Sequence, residues 1–105
     1  MSQEVVVTAV FHPVPGQRAA LGAVLESVIP DVHEEAGCLL YALHEAGGDT
    51  LVLIEKWESR ELLAAHQRAD AVARLNAEAA ELLQSPPEVV TMSALPCGHQ
   101  TKGQL

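Results

Sequence analysis

The stretch Thr50-Leu51-Val52-Leu53-Ile54-Glu55-Lys56-Trp57 decides how this chain is read. Its residue types suit a strand, and Leu51 to Ile54 are apolar without a break. Successive side chains of a strand point to opposite faces. Leu51, Leu53, Glu55 and Trp57 therefore share one face, while Val52 and Ile54 take the other. A strand with one face in water alternates apolar and polar residues. This one calls for cover on both sides.

Working outward, Ala46-Gly47-Gly48-Asp49 reads as a hairpin turn, joining this strand to one over Cys38 to His44. Upstream, Leu21, Val24, Leu25, Val28, Ile29 and Val32 recur at the spacing of one helical face. Pro30 lies opposite that stripe, where it removes one backbone bond and bends the helix without dividing it. Gly37 is expected to stop the helix by accepting a positive φ. Glu4 to His12, rich in valine, reads as a first strand closed by Pro13-Val14-Pro15-Gly16.

Downstream, Ser59 is a candidate N-cap, and Glu61 suits the first turn of a helix. Leu62, Leu63 and His66 share a face of that helix. Val72, Leu75, Ala79, Leu82 and Leu83 continue the stripe past a break near Asp70. Pro86-Pro87 is expected to end the helix, and Val89 to Leu95 to form a fourth strand. The order β-α-β-β-α-β predicts an α+β, ferredoxin-like fold: an antiparallel four-stranded sheet with helices on one face. Residues 1–95 form the expected domain, and the polar residues 96–105 a flexible tail.

Two helices cover one face of such a sheet. Val5-Val6-Val7 repeats the two-faced apolar pattern of Leu51 to Ile54, so the second face needs a partner. The simplest cover is the same face of another copy, a homodimer through the sheet face.

The chain has 105 residues, 49% of them hydrophobic, enough for one packed core and no second domain. The aromatic residues are Phe11, Tyr41 and Trp57. A formal charge of −8 and the lack of a basic stripe argue against nucleic-acid binding. No apolar run reaches a membrane-spanning length, and no basic leader precedes the first valines. The plain expectation is a cytoplasmic protein with Cys38 and Cys97 as free thiols. Neither cysteine has zinc spacing, and Cys97 with His99 would supply only two ligands, so no metal is expected. Nor is there a Gly-rich dinucleotide motif or haem attachment motif, so no cofactor is expected.

Three segments carry a resemblance. His33-Glu34-Glu35-Ala36-Gly37-Cys38-Leu39-Leu40-Tyr41 offers an acidic residue, Gly-Cys, then a tyrosine. Ile54-Glu55-Lys56-Trp57-Glu58-Ser59 offers Glu-x-Trp followed by an acidic residue and serine. Leu62-Leu63-Ala64-Ala65-His66 follows on a helix. In this order and spacing, over residues 4 to 95, the chain resembles antibiotic biosynthesis monooxygenase domains. That resemblance implies a dimeric α+β barrel. It departs from many relatives at Ala71, where they carry a second histidine about five residues after the first.

The resemblance also implies an activity: oxidation by O₂, without a bound cofactor, of a small electron-rich aromatic such as a phenol, a quinol or a polyketide-type ring. His66 is the candidate base, since a neutral imidazole facing a cavity can take a proton from a ring hydroxyl; otherwise it is a hydrogen-bonded histidine at the core edge. Trp57 would stack on the ring, or fill the core. Glu55 would orient a histidine, raise its basicity, or form an ion pair. Tyr41, Leu53 and Leu62 are the expected substrate contacts, with Tyr41 alternatively at the dimer interface. His44 lies on the opposite face of its strand from Tyr41, and His12 and His33 read as structural or exposed. The alternative to an oxygenase is a non-redox isomerase or ligand-binding dimer on the same fold.

Overall fold

The computed structural model describes residues 3–105, so the first two residues of the expected domain lie outside the described residues. Four strands form one sheet in the order β2-β3-β1-β4, with β1 at Val5–Phe11, β2 at Cys38–Glu45, β3 at Leu51–Trp57 and β4 at Glu88–Ser93. Every neighbouring pair is antiparallel. Helix α1 spans Arg18–His33, α2 Arg60–Gln67 and α3 Asp70–Ala79. The fold is the α+β, ferredoxin-like one that the pattern predicts.

The face of β3 with Leu51, Leu53, Glu55 and Trp57 is the helix-covered one, and all four side chains are buried. Val5, Val7, Ala9 and Phe11 of β1 continue it. Leu21, Leu25, Val28 and Val32 of α1 pack onto them, joined by Leu75 and Ala79 of α3. Pro30 sits inside α1 on its exposed side, and α1 is one continuous helix.

The helix ends at Gly37 and at Pro86-Pro87 differ from the sequence reading, and the break near Asp70 is present. Helix α1 ends at His33, before Gly37, with the amides of Glu34 and Glu35 donating to Asp31 and Val32. Gly37 instead makes the reversal into β2 with φ +83°. Its conformation and its neighbour both demand glycine, because an added Cβ would stand 2.5 Å from Leu62 Cδ1. The second helical layer is divided: Ala69 is extended (φ −77°, ψ 158°) and separates α2 from α3. Finally, the helical run stops before Pro86-Pro87, after a single 3₁₀ turn at Ala80–Leu82. The chain there pairs with the loop after β1: the amide of Val14 donates to Leu82 O, and that of Gln84 to His12 O (2.8 and 2.9 Å).

The other face of the sheet has no helix. Val10, Val52, Ile54 and Ala42 are half-buried there, while Val90 and Met92 of the edge strand β4 are exposed. Val6 on this face is buried. Lys56, its cross-strand neighbour, pairs with Glu4 (3.0 Å) and donates to the carbonyl oxygen of Leu105 (2.7 Å), drawing the exposed residues after β4 back to one end of the sheet. Within residues 96–105 the amides of Thr101 and Lys102 donate to His99 Nδ1, forming a local turn.

Candidate active site

A cavity of about 110 Å³ remains where α2 and α3 lie over the sheet. One cross-strand row, Tyr41–Glu55–Val7, crosses its floor. Leu53, Ala9 and Phe11 extend the floor, and Leu63 and Leu75 close it from the helices. His66, in the last turn of α2, enters from above. Gln67, Asn76, Pro87 and the exposed Val89 also line it, on the side toward β4. The lining is thus apolar with three inner polar groups, a ring hydroxyl, a carboxyl and an imidazole, the usual make-up of a small-molecule site.

Two contacts hold the imidazole. Its Nδ1 lies 2.8 Å from Glu35 Oε1, with both side chains largely shielded. Its ring stacks on Trp57 at 4.4 Å between centroids and 30° between planes. Nε2 has no protein partner among the described residues. No buried side-chain nitrogen or oxygen that is sealed from solvent lacks a partner among them, so Nε2 is open to solvent, on a residue that lines the cavity. The Tyr41 side chain lines the cavity as well. The Tyr41 ring stands edge-on to both His66 (5.4 Å) and Trp57 (6.4 Å).

Burial sets the protonation of the other groups. Glu55 is pushed up to about 7, chiefly by desolvation, against the pull of the Trp57 indole N–H, which donates to Oε1 at 3.0 Å; nearby Glu35 adds to the rise. Near neutral pH it is therefore in part a neutral acid, able to donate a hydrogen bond into the cavity. Tyr41 is held well above its ordinary value by burial first, then by Glu55 and Glu35, which keeps its hydroxyl protonated. Burial also raises the Cys38 thiol, with Glu35 and Glu55 adding to it, which disfavours a reactive thiolate.

Of the residues singled out from sequence, His66, Glu55, Tyr41 and Leu53 meet at the cavity. Trp57 is fully buried behind His66 and does not line it. Leu62 packs on Gly37, and the neighbouring Leu63 takes its place at the cavity wall. The carboxylate in contact with His66 is Glu35, whereas Glu55 accepts from Trp57. In the sequence Glu35 stands out only as one of two acidic residues before Gly37-Cys38. It is 31 residues from His66, and no local periodicity connects the two. His12 pairs with Glu88, His33 donates through Nε2 to Tyr41 O, and His44 is exposed. No group of three or more metal-ligating side chains occurs among the described residues. No helix among them is long and apolar enough to cross a membrane.

Residues 4–78 match the family model described as "Antibiotic biosynthesis monooxygenase". The chain is 38% identical over 96 residues to "Putative monooxygenase Rv0793" of Mycobacterium tuberculosis, covering 90% of this chain and 95% of that protein. It superposes on the solved structure of Rv0793 with a TM-score of 0.82 at 34% identity, over 93% of this chain and 99% of that one. It superposes on PA3566 of Pseudomonas aeruginosa with a TM-score of 0.82 at 28% identity, over 90% and 97%. By the extent of these matches, the chain belongs to the antibiotic biosynthesis monooxygenase family.

Proposed function

We propose that this protein is a monooxygenase that oxidises a small, electron-rich hydroxylated aromatic with O₂, its side chains acting as acid and base while the substrate supplies the electrons. The observation that carries this reading is an imidazole held at Nδ1 by Glu35, on an apolar cavity that it shares with the carboxyl group of Glu55. His66 takes the proton of the ring hydroxyl. The phenolate so formed is electron-rich at a ring carbon, which bonds to O₂ and becomes a peroxide. Cleavage of the O–O bond, with loss of that carbon's hydrogen, leaves a carbonyl and releases water. One oxygen atom enters the product, and the C–H carbon is oxidised to C=O.

Tyr41 and Leu53 contact the ring, and Glu55 donates to an oxygen of the substrate. Trp57 supports His66 from behind. The apolar walls keep water from the charged intermediate. The cavity of about 110 Å³ is smaller than an engineered one of about 150 Å³ that admits benzene, so at most one ring enters and the rest of a substrate stays at the mouth. This narrows the expected substrates to phenols and quinols, or one ring of a larger molecule.

Protein stripped of metals is expected to consume O₂ with a dihydroxybenzene, and His66→Ala to lower the rate by roughly 10²-fold. An unchanged rate in that variant would remove His66 from the mechanism. Ligand binding without O₂ uptake would favour a non-redox binder.

We further propose that the helix-free face of the sheet is covered by the same face of a second copy. The half-buried Val10, Val52 and Ile54 and the exposed Val90 and Met92 support this.

A further inference from the structure

We infer that Glu35 is a positioning residue: its carboxylate holds His66 in the tautomer with the proton on Nδ1 and so keeps the Nε2 lone pair aimed at the cavity. The inference rests on the reading of His66 as the base.

The imidazole has two freedoms that matter, the tilt of its ring and the choice of which nitrogen carries the proton. Stacking on Trp57 limits the tilt but leaves the proton unassigned, because an indole face interacts alike with either tautomer. Only a partner at one nitrogen fixes it. Glu35 Oε1 stands 2.8 Å from Nδ1 and, as a carboxylate, can only accept. It does not line the cavity, so it acts on a ligand only through His66. When Nε2 takes a proton the imidazole becomes a cation, and the same carboxylate neutralises it within a partly desolvated site.

The contact is not needed to fasten the chain. The segment carrying Glu35 is already tied to the end of β3, where the Glu58 amide donates to Gly37 O at 2.9 Å. It is also wedged against α2 by the close approach of Gly37 to Leu62. The amide of Cys38 donates to Glu35 O, and that of Glu35 to Val32 O, which sets where the side chain starts. The reversal after α1 thus delivers a carboxylate to the inner side of α2.

The test is ¹⁵N NMR of histidine-labelled protein at a pH where the rings are neutral, with His66 assigned from the His66→Asn spectrum. The wild-type protein is expected to show a protonated Nδ1 and a bare Nε2 at His66. In Glu35→Ala the population should move toward protonated Nε2. In the oxidation assay that variant should lose at least about tenfold in kcat with KM within about twofold, and Glu35→Asp should recover part of it. A wild-type His66 protonated on Nε2, an unmoved tautomer in Glu35→Ala, or an unchanged kcat would each overturn the inference. Glu35→Gln, which preserves size, serves if the alanine variant does not fold: it should lower kcat, and an unchanged kcat contradicts the role. The NMR result does not depend on turnover, so failure of the catalytic reading, seen as an unaffected His66→Ala rate, is distinguishable from failure of this one.

Discussion

Glu55 is a carboxyl group on a buried strand row, with one hydrogen bond from Trp57 and a second carboxylate nearby. Its ordinary value of 4.5 is raised to about 7 in the fold, so the native state holds a proton that the unfolded chain releases. The stability it contributes is complete below about pH 4.5 and is lost as pH rises through about 7. The whole swing is at most about 3 kcal/mol. Urea denaturation at pH 5 and pH 8 should therefore show lower stability at pH 8, and Glu55→Gln should flatten that difference; an undiminished difference in the variant would place the pH effect elsewhere. That Glu55, Leu53 and Trp57 share a face was legible from strand parity alone, and so was the inward direction of His66 from its spacing to Leu62 and Leu63. Which of Leu62 and Leu63 meets the cavity was not, because consecutive helix residues differ by only 100° and a helical face is broader than that. The Glu35–His66 contact was illegible for a different reason: it is a tertiary pairing across two elements.

Among the elements, the reversal at residues 34–37 does more to place the site than any helix. Gly37 has a positive φ, and a methyl there would meet Leu62 Cβ at 2.7 Å. Gly37→Ala should cost about 1–3 kcal/mol and displace α2 enough to lower turnover, both measurable by thermal melting and O₂ uptake. A variant of wild-type stability and rate would show that the approach is not constraining. The four strands and their order followed from apolar patterning and turn residues, because those signals are local. The end of α1 did not, since Glu34 to Ala36 have no side chain that forbids a further helical turn. The sequence marks the separation of α2 from α3 only as a break near Asp70, as nothing in Arg68-Ala69 demands the extended Ala69. Likewise Pro86-Pro87 looked like the helix stop, yet backbone pairing with residues 12–14 ends the helix first.

At the scale of the molecule, the unbroken run Leu51 to Ile54 leaves one face of the sheet without a helix. Lys56 and the residues after β4 shelter one end of it, and the remainder is the surface proposed to meet a second copy. Light scattering on a sizing column should give about twice the 11.2 kDa chain mass. A monomer at micromolar concentration would contradict that proposal, and Ile54→Lys, on the open face, should weaken the dimer while sparing the cavity. The cavity is the proposed site of oxidation. Its most direct test is turnover of a dihydroxybenzene by metal-free protein under ¹⁸O₂, alongside His66→Ala. One labelled oxygen is expected in each product molecule and the other in water, with a rate about 10²-fold lower in the variant. Product without label, or label incorporated equally well by His66→Ala, would contradict it.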